Sequence, residues 1–189
     1  MRIGIDASRT FGQQKTGTES YSYELITRLL KLPEITNHEV IIYTKVSPSS
    51  IPPLKLRGGK SGGVIFRQIS LPFLWTQVGL AYRTWTDNLD VLWIPAHTLP
   101  LLRQPSWLRE GRPLKTVVTI HGIEYEWLPA YENWLQKWYL PMSTQYAVSR
   151  AQKIIAVSEF TKSQIVDKLN ADTEKISVIH EGINYKDIV

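Results

Sequence analysis

The sequence predicts an α/β domain built on a doubly wound, mostly parallel sheet of seven strands. Three observations carry that prediction. Seven short apolar runs recur along the 189 residues, and between them apolar residues fall at helical spacing, the alternation of a parallel sheet covered on both faces. Hydrophobic residues make up 43% and charged residues 21%, which suits one domain with a real core and leaves no sign of an internal repeat. Short polar stretches around Gly17, His121 and Ser158 lie at the carboxyl ends of apolar runs, the edge at which open α/β sheets bind ligands.

Each element has a local reason. Residues 2–6 form the first strand, and Asp6 and Arg9 interrupt the run too early for a secretory leader. Thr16 is a helix N-cap, with Glu19 three residues on completing a capping box. Tyr21, Leu25, Ile26, Leu29 and Leu30 then give one buried face, and Pro33 marks the helix end. Residues 39–44 are the second strand. Residues 46–63, with three prolines and four glycines, read as a long connection. Residues 64–69 are the third strand, and Pro72 stands near the start of a helix through Phe73, Leu74, Trp75, Val78, Leu80 and Ala81. Residues 91–94 are a short apolar fourth strand before a proline-interrupted loop. The β-branched run 115–120 is a central fifth strand. Over 129–150 a helix is expected, with Trp134, Trp138, Met142 and Tyr146 at four-residue steps and a kink or division at Pro141. Residues 153–157, 160–169 and 176–179 complete the pattern as strand, helix and strand.

Composition narrows the chemistry. The chain has no cysteine, so disulfides, thiolate metal sites and cysteine nucleophiles are excluded. Its four histidines, His38, His97, His121 and His180, lack metal-ligand spacing, and nothing points to magnesium at Asp6, Glu124 or Glu126; no metal is expected. No apolar stretch approaches the length that spans a bilayer, so a soluble or peripheral protein is expected; a cysteine-free chain can fold on either side of a membrane, and a cytoplasmic location is the expectation. The net charge of +5 is uneven: residues 40–86 hold Lys45, Lys55, Arg57, Lys60, Arg67 and Arg83 and no acid, and Arg103, Arg109, Arg112 and Lys115 are opposed only by Glu110. These groups suit phosphates or the anionic cytoplasmic face of a membrane, and equally suit solvated loops. They are scattered over different elements with no reading module, so no nucleic-acid partner is expected.

A few residues have positions suited to chemistry. Gly12 and Gly17 flank a polar loop ahead of a helix N-terminus, where free backbone N–H groups suit a phosphate, a carboxylate or sugar oxygens; plain turn geometry explains the same glycines. His121 ends the fifth strand, so its ring emerges at the strand end, where it can exchange hydrogen bonds near neutral pH. The competing reading is a buried histidine bonded to a carbonyl. Gly122 beside it permits close backbone approach, and His97, in the loop after the fourth strand, can line the same cleft. Ser158 is the natural N-cap of the following helix, and no Gly-x-Ser-x-Gly elbow surrounds it. Trp134 and Trp138 share a helical face with Met142, which reads most economically as packing; stacking on sugars or lying at a membrane interface is the alternative for the tryptophans.

Taken together, the loop 12–21, Leu74-Trp75-Thr76-Gln77, Asp90-Val91-Leu92-Trp93-Ile94-Pro95, Val118-Thr119-Ile120-His121-Gly122, Ile154-Ile155-Ala156-Val157-Ser158-Glu159-Phe160-Thr161-Lys162 and Ile176-Ser177-Val178-Ile179-His180-Glu181-Gly182-Ile183 resemble the retaining glycosyltransferases of family 4, in their mannosyltransferase-like members. The resemblance implies that residues 1–189 are the N-terminal, acceptor-binding half of a two-domain GT-B fold, with a Rossmann-like sheet. The chain would stop before the C-terminal donor-binding domain, whose basic pair and two glutamates hold the donor, and the fragment alone would be inactive.

It further implies a nucleoside diphosphate sugar as donor substrate, no bound cofactor, and a sugar or lipid-linked sugar acceptor in polysaccharide or glycolipid synthesis. His121 would be the catalytic residue, meeting the transferred sugar. Gly17, Thr18 and Ser158 would contact donor or acceptor, and Thr16, Glu19, His97, Gly122 and Glu124 would line the acceptor cleft. Where the family often has His-Asp, this sequence has His121-Gly122 and so lacks that carboxylate. A non-catalytic Rossmann-like domain that binds a ligand or a partner is the alternative, whereas the missing glycine fingerprint disfavours a dinucleotide-dependent dehydrogenase.

Overall fold

A computed structural model describes residues 1–11, 17–51, 63–105, 108, 111–123 and 134–182. The strands are β1 (Arg2–Asp6), β2 (Glu39–Thr44), β3 (Val64–Gln68), β4 (Val91–Ile94), β5 (Lys115–Ile120), β6 (Lys153–Ala156) and β7 (Ile176–Val178), and the helices are α1 (Gly17–Leu29), α2 (Ala81–Thr86), α3 (Trp134–Arg150) and α4 (Glu159–Leu169). All described pairings are parallel, in the order β3-β2-β1-β4-β5-β6-β7. The expected doubly wound, Rossmann-like α/β sheet is therefore present. The direction in which successive strands are added across the sheet reverses between β1 and β4, and a crevice opens beyond the carboxyl ends of strands at such a switch point.

Period-two burial explains why β2 is apolar throughout. Val40 and Ile42 join Ile5, Ile26 and Leu30 beneath α1, whereas Ile41 and Tyr43 join Leu80, Leu92, Val118, Ala147 and Ile165 under the other helices. In β1 the opposite face is occupied at Gly4, where a Cβ would sit 2.7 Å from Leu89. Near the α2 end of the core, Tyr43 donates to the buried Asp87 at 2.7 Å, Arg67 pairs with the same carboxylate at 3.2 Å, and Arg2 donates to the Asp87 carbonyl. These contacts pin the end of α2 to the sheet.

Three expectations need correction. The helix expected from Pro72 starts later: Leu74 is left-handed (φ 53°), and a π-helical segment, Trp75–Leu80, leads into α2. Proline's suitability for a first turn did not determine the start, because Trp75 is buried and donates from Nε1 to the Ile69 carbonyl. Secondly, of the kink or division expected at Pro141, the division does not occur, because α3 runs on through it. Thirdly, Trp138 and Met142 are not packed but are both 68% exposed; a helical apolar stripe has the same period whether a neighbour covers it or not. The Thr16 cap and the residues at Gly12, Trp107, Arg109, Glu110, Glu124, Glu126 and Trp127 lie outside the described residues.

Candidate active site at the carboxyl edge of the sheet

Three neighbouring depressions open along the carboxyl edge, and His121 stands among them. The first lies at the β1/β4 switch point. It is a cavity of about 180 Å³ bounded by Asp6, Arg9, Thr18, Lys45, His97 and Tyr139, among others. The second lies between α1 and the chain beyond β7 and includes Gly17, Tyr21 and Glu181. The third is lined by His121, Gly122, Ser158, Phe160 and Thr161.

The register of β5 carries His121 to the strand end, and neighbours on three elements hold its ring. Its Nδ1 lies 3.0 Å from Glu181 Oε1 and its Nε2 3.3 Å from the Pro95 carbonyl. Tyr21, from the first turns of α1, packs edge-on at 4.7 Å between centroids. Both polar partners are acceptors, so a neutral ring satisfies one of them and a protonated ring both. With 15% of its side chain exposed, the ring is held yet still reachable. It thus combines the strand-end position with a bond to a carbonyl, features that the sequence offered as competing readings. The Tyr21 hydroxyl is buried beside Thr119 without a well-formed hydrogen bond. Burial raises its pKa, Glu181 adds to the rise, and Thr119 offsets part of it.

The switch-point cavity mixes charge and hydrogen-bonding groups. Asp6 is buried and accepts from the Ser8 backbone N–H at 2.9 Å. Burial raises its carboxyl pKa, partly offset by the Ser8 bonds and by Arg9 and Lys45. Burial, then Arg9 and His121, lower the His97 pKa to about 4, so His97 is neutral at pH 7. The expected site residues border three adjoining depressions: His97 and Thr18 line this cavity, Gly17 the second, and Gly122 and Ser158 the third. Glu19 stands in the first turn of α1, and Thr16 and Glu124 lie outside the described residues.

The Ser158 hydroxyl accepts from the Thr161 backbone N–H at 3.0 Å as the N-cap of α4. Thr161 in turn donates to the His121 carbonyl at 3.3 Å, so the cap buttresses the strand end. Sequence reasoning did not identify Arg9, Lys45, Tyr21 or Glu181 as site residues. For Arg9 and Lys45 a signal existed, since each follows closely on a strand that ends at this edge. Among the described residues, no three His, Asp or Glu side chains gather where they could hold a metal ion.

A crevice at the switch point of a parallel sheet is the place where open α/β sheets bind small ligands. Comparison with known proteins gives the family. The sequence pattern of Glycosyltransferase Family 4 matches residues 15–187. The chain belongs to Glycosyltransferase Family 4. It is 25% identical over 193 positions to the O-antigen chain mannosyltransferase RfbU of Salmonella typhimurium, covering 98% of this chain and 50% of that protein. Its fold resembles the sucrose-phosphate synthase of Thermosynechococcus elongatus, with a TM-score of 0.62 at 14% identity over 98% of this chain and 49% of that one. It also resembles the wall teichoic acid polymerase TagF, with a TM-score of 0.52 at 12% identity over 95% of this chain and 38% of that one. The chain thus spans about half the length of the curated relative it matches.

Proposed function

We propose that residues 1–189 are the acceptor-binding, N-terminal domain of a retaining, GT-B glycosyltransferase that works with a second, donor-binding domain. The enzyme moves a hexosyl unit from a nucleoside diphosphate sugar to a hydroxyl acceptor in polysaccharide or glycolipid synthesis, and this chain alone turns over no donor. The family match supports the reaction class, and the half-length match to RfbU supports the two-domain reading and a mannosyl-type donor.

One observation carries the site assignment: His121 is fixed at a strand end by Glu181, the Pro95 carbonyl and Tyr21 while bordering an open depression. In the proposed reaction the acceptor oxygen bonds to the anomeric carbon as the bond to the leaving phosphate breaks. The acceptor proton passes to a phosphate oxygen on the same face, so no protein nucleophile is required. His121 meets the sugar as charge develops, and Glu181 acts as its positioning residue, bringing a carboxylate from beyond β7 to a ring whose neighbour is Gly122. Asp6 and neutral His97 accept hydrogen bonds from acceptor hydroxyls, and Arg9 and Lys45 meet acceptor anionic groups. Gly17 and Thr18 approach the donor from the α1 N-terminus. Ser158 acts here through the strand end that its cap supports.

The test is transfer by the two-domain protein from a panel of nucleoside diphosphate hexoses, with the product's anomeric configuration read by NMR. The expected product keeps the donor's configuration, and the isolated chain yields none. Inversion, or transfer by the isolated chain, refutes the corresponding part of the proposal.

A further inference from the structure

Adjoining the crevice, the helical segment 75–86, the loop 98–104 and α3 form a continuous outer surface. Hydrogen bonds stitch it together: Trp85 Nε1 donates to the Leu102 carbonyl at 2.8 Å, and Gln77 accepts from the Leu101 N–H and donates to the Tyr139 hydroxyl. Arg103 donates to the Tyr146 hydroxyl and the Pro100 carbonyl and lies over the Tyr146 ring. This surface leaves apolar and aromatic side chains in solvent, with Leu102 75%, Met142 68% and Tyr82 62% exposed, alongside Val78, Trp85 and Trp138. A trough of about 700 Å³ beside Leu101, Tyr139 and Met142 runs through it. The expected packing role of Trp138 and Met142 fails because they belong to this surface.

Its charge is one-sided. Residues 70–86, 98–105 and 138–150 contain no Asp or Glu, and their charged members are Arg83, Arg103 and Arg150. The groups bonded by the Arg103 guanidinium are neutral. Face to face, two copies of such a surface would oppose like charges, whereas a negatively charged, part-apolar plane complements it. Tyrosine and tryptophan favour the boundary between headgroups and acyl chains, and cations add attraction to anionic headgroups. We infer that this surface docks the domain on an anionic lipid bilayer through Tyr82, Trp85, Leu102, Trp138 and Met142. Tyr139 borders both the trough and the switch-point cavity, so docking sets the mouth of the crevice at the lipid surface.

Co-flotation of the purified chain with vesicles tests this without donor or turnover, so its result is separate from that of glycosyl transfer. Vesicles of phosphatidylglycerol and phosphatidylcholine should bind the chain at least about ten-fold better than phosphatidylcholine alone, with salt weakening the difference. The triple substitution Tyr82→Ser, Leu102→Ser and Met142→Ser should lower binding about ten-fold or more while leaving the fold intact by circular dichroism. If that variant unfolds, Arg150→Glu replaces it, with an expected loss of at least about five-fold. Absence of anionic-vesicle binding by the folded wild type, or full binding by the folded variant, overturns the inference. So does a dimer that the substitutions dissociate in the absence of any vesicle binding, which would assign the surface to a second copy.

Discussion

Replacing Glu181 probes the contact that distinguishes this site. Its carboxylate lies 3.0 Å from His121 Nδ1, and its own side chain is 49% exposed. Solvent therefore screens the pair, and the full low-dielectric Coulomb energy does not apply. Exposed ion pairs contribute about 0.2–1 kcal/mol and hydrogen bonds to charged groups about 1.5–3 kcal/mol. With one partner largely enclosed and the other half in water, about 1 kcal/mol of ring positioning is a reasonable magnitude, or roughly five-fold in rate. In the two-domain enzyme, Glu181→Ala should lower single-turnover rate by about that factor with donor affinity nearly unchanged. Glu181→Gln keeps an acceptor and should recover most of the loss. In a His121→Ala background, Glu181→Ala should have no further effect, because the ring it positions is gone. An equal loss in both backgrounds would show that Glu181 acts independently of His121 and refute the reasoning.

Other expectations address stability and pH. Tyr43→Phe leaves the buried Asp87 without its 2.7 Å donor and should cost about 1.5–3 kcal/mol in denaturant unfolding; an unchanged midpoint would remove that contact from the account. Ser158→Ala removes the α4 cap and should cost about 0.5–2 kcal/mol without a separate loss of donor affinity, checked by melts beside binding titrations. His97 binds its proton less readily folded, with a pKa of about 4 against 6.5. Its stabilising contribution is therefore present above pH 6.5 and lost as pH falls from 6.5 through 4. The difference amounts to at most about 3 kcal/mol, and His97→Gln should flatten that part of the stability profile. A profile identical to wild type would contradict the enclosed, neutral His97.

Much of the fold was legible because its signals are local. The expected bounds of β1, β2, β4 and β5 coincide with those observed, since continuous β-branched runs between turn residues admit few other readings. The long helical segments were similarly visible, apart from the late start after Pro72, which depends on how Trp75 is buried. The site was only partly legible. Strand ends located His121, His97 and Ser158, and the N-cap reading of Ser158 follows from one residue and its neighbours. The contact between His121 and Glu181 spans 60 residues and depends on how the chain beyond β7 returns toward the end of β5, which no local pattern encodes. Solvent exposure of Trp138 and Met142 was likewise invisible, because periodicity shows that residues share a face and not what covers it.

The central claim is that His121 acts on the transferred sugar and does not merely fill space, and His121→Ala in the two-domain enzyme tests it most directly. Single-turnover rate and thermal melting should be measured on the same preparation. Loss of one well-placed donor corresponds to about 2.7–4 kcal/mol of transition-state stabilisation, or roughly 100- to 1000-fold in rate. That loss is expected with donor affinity and melting temperature little changed. An unchanged rate, or a large fall in melting temperature that accounts for the lost activity, would contradict the claim.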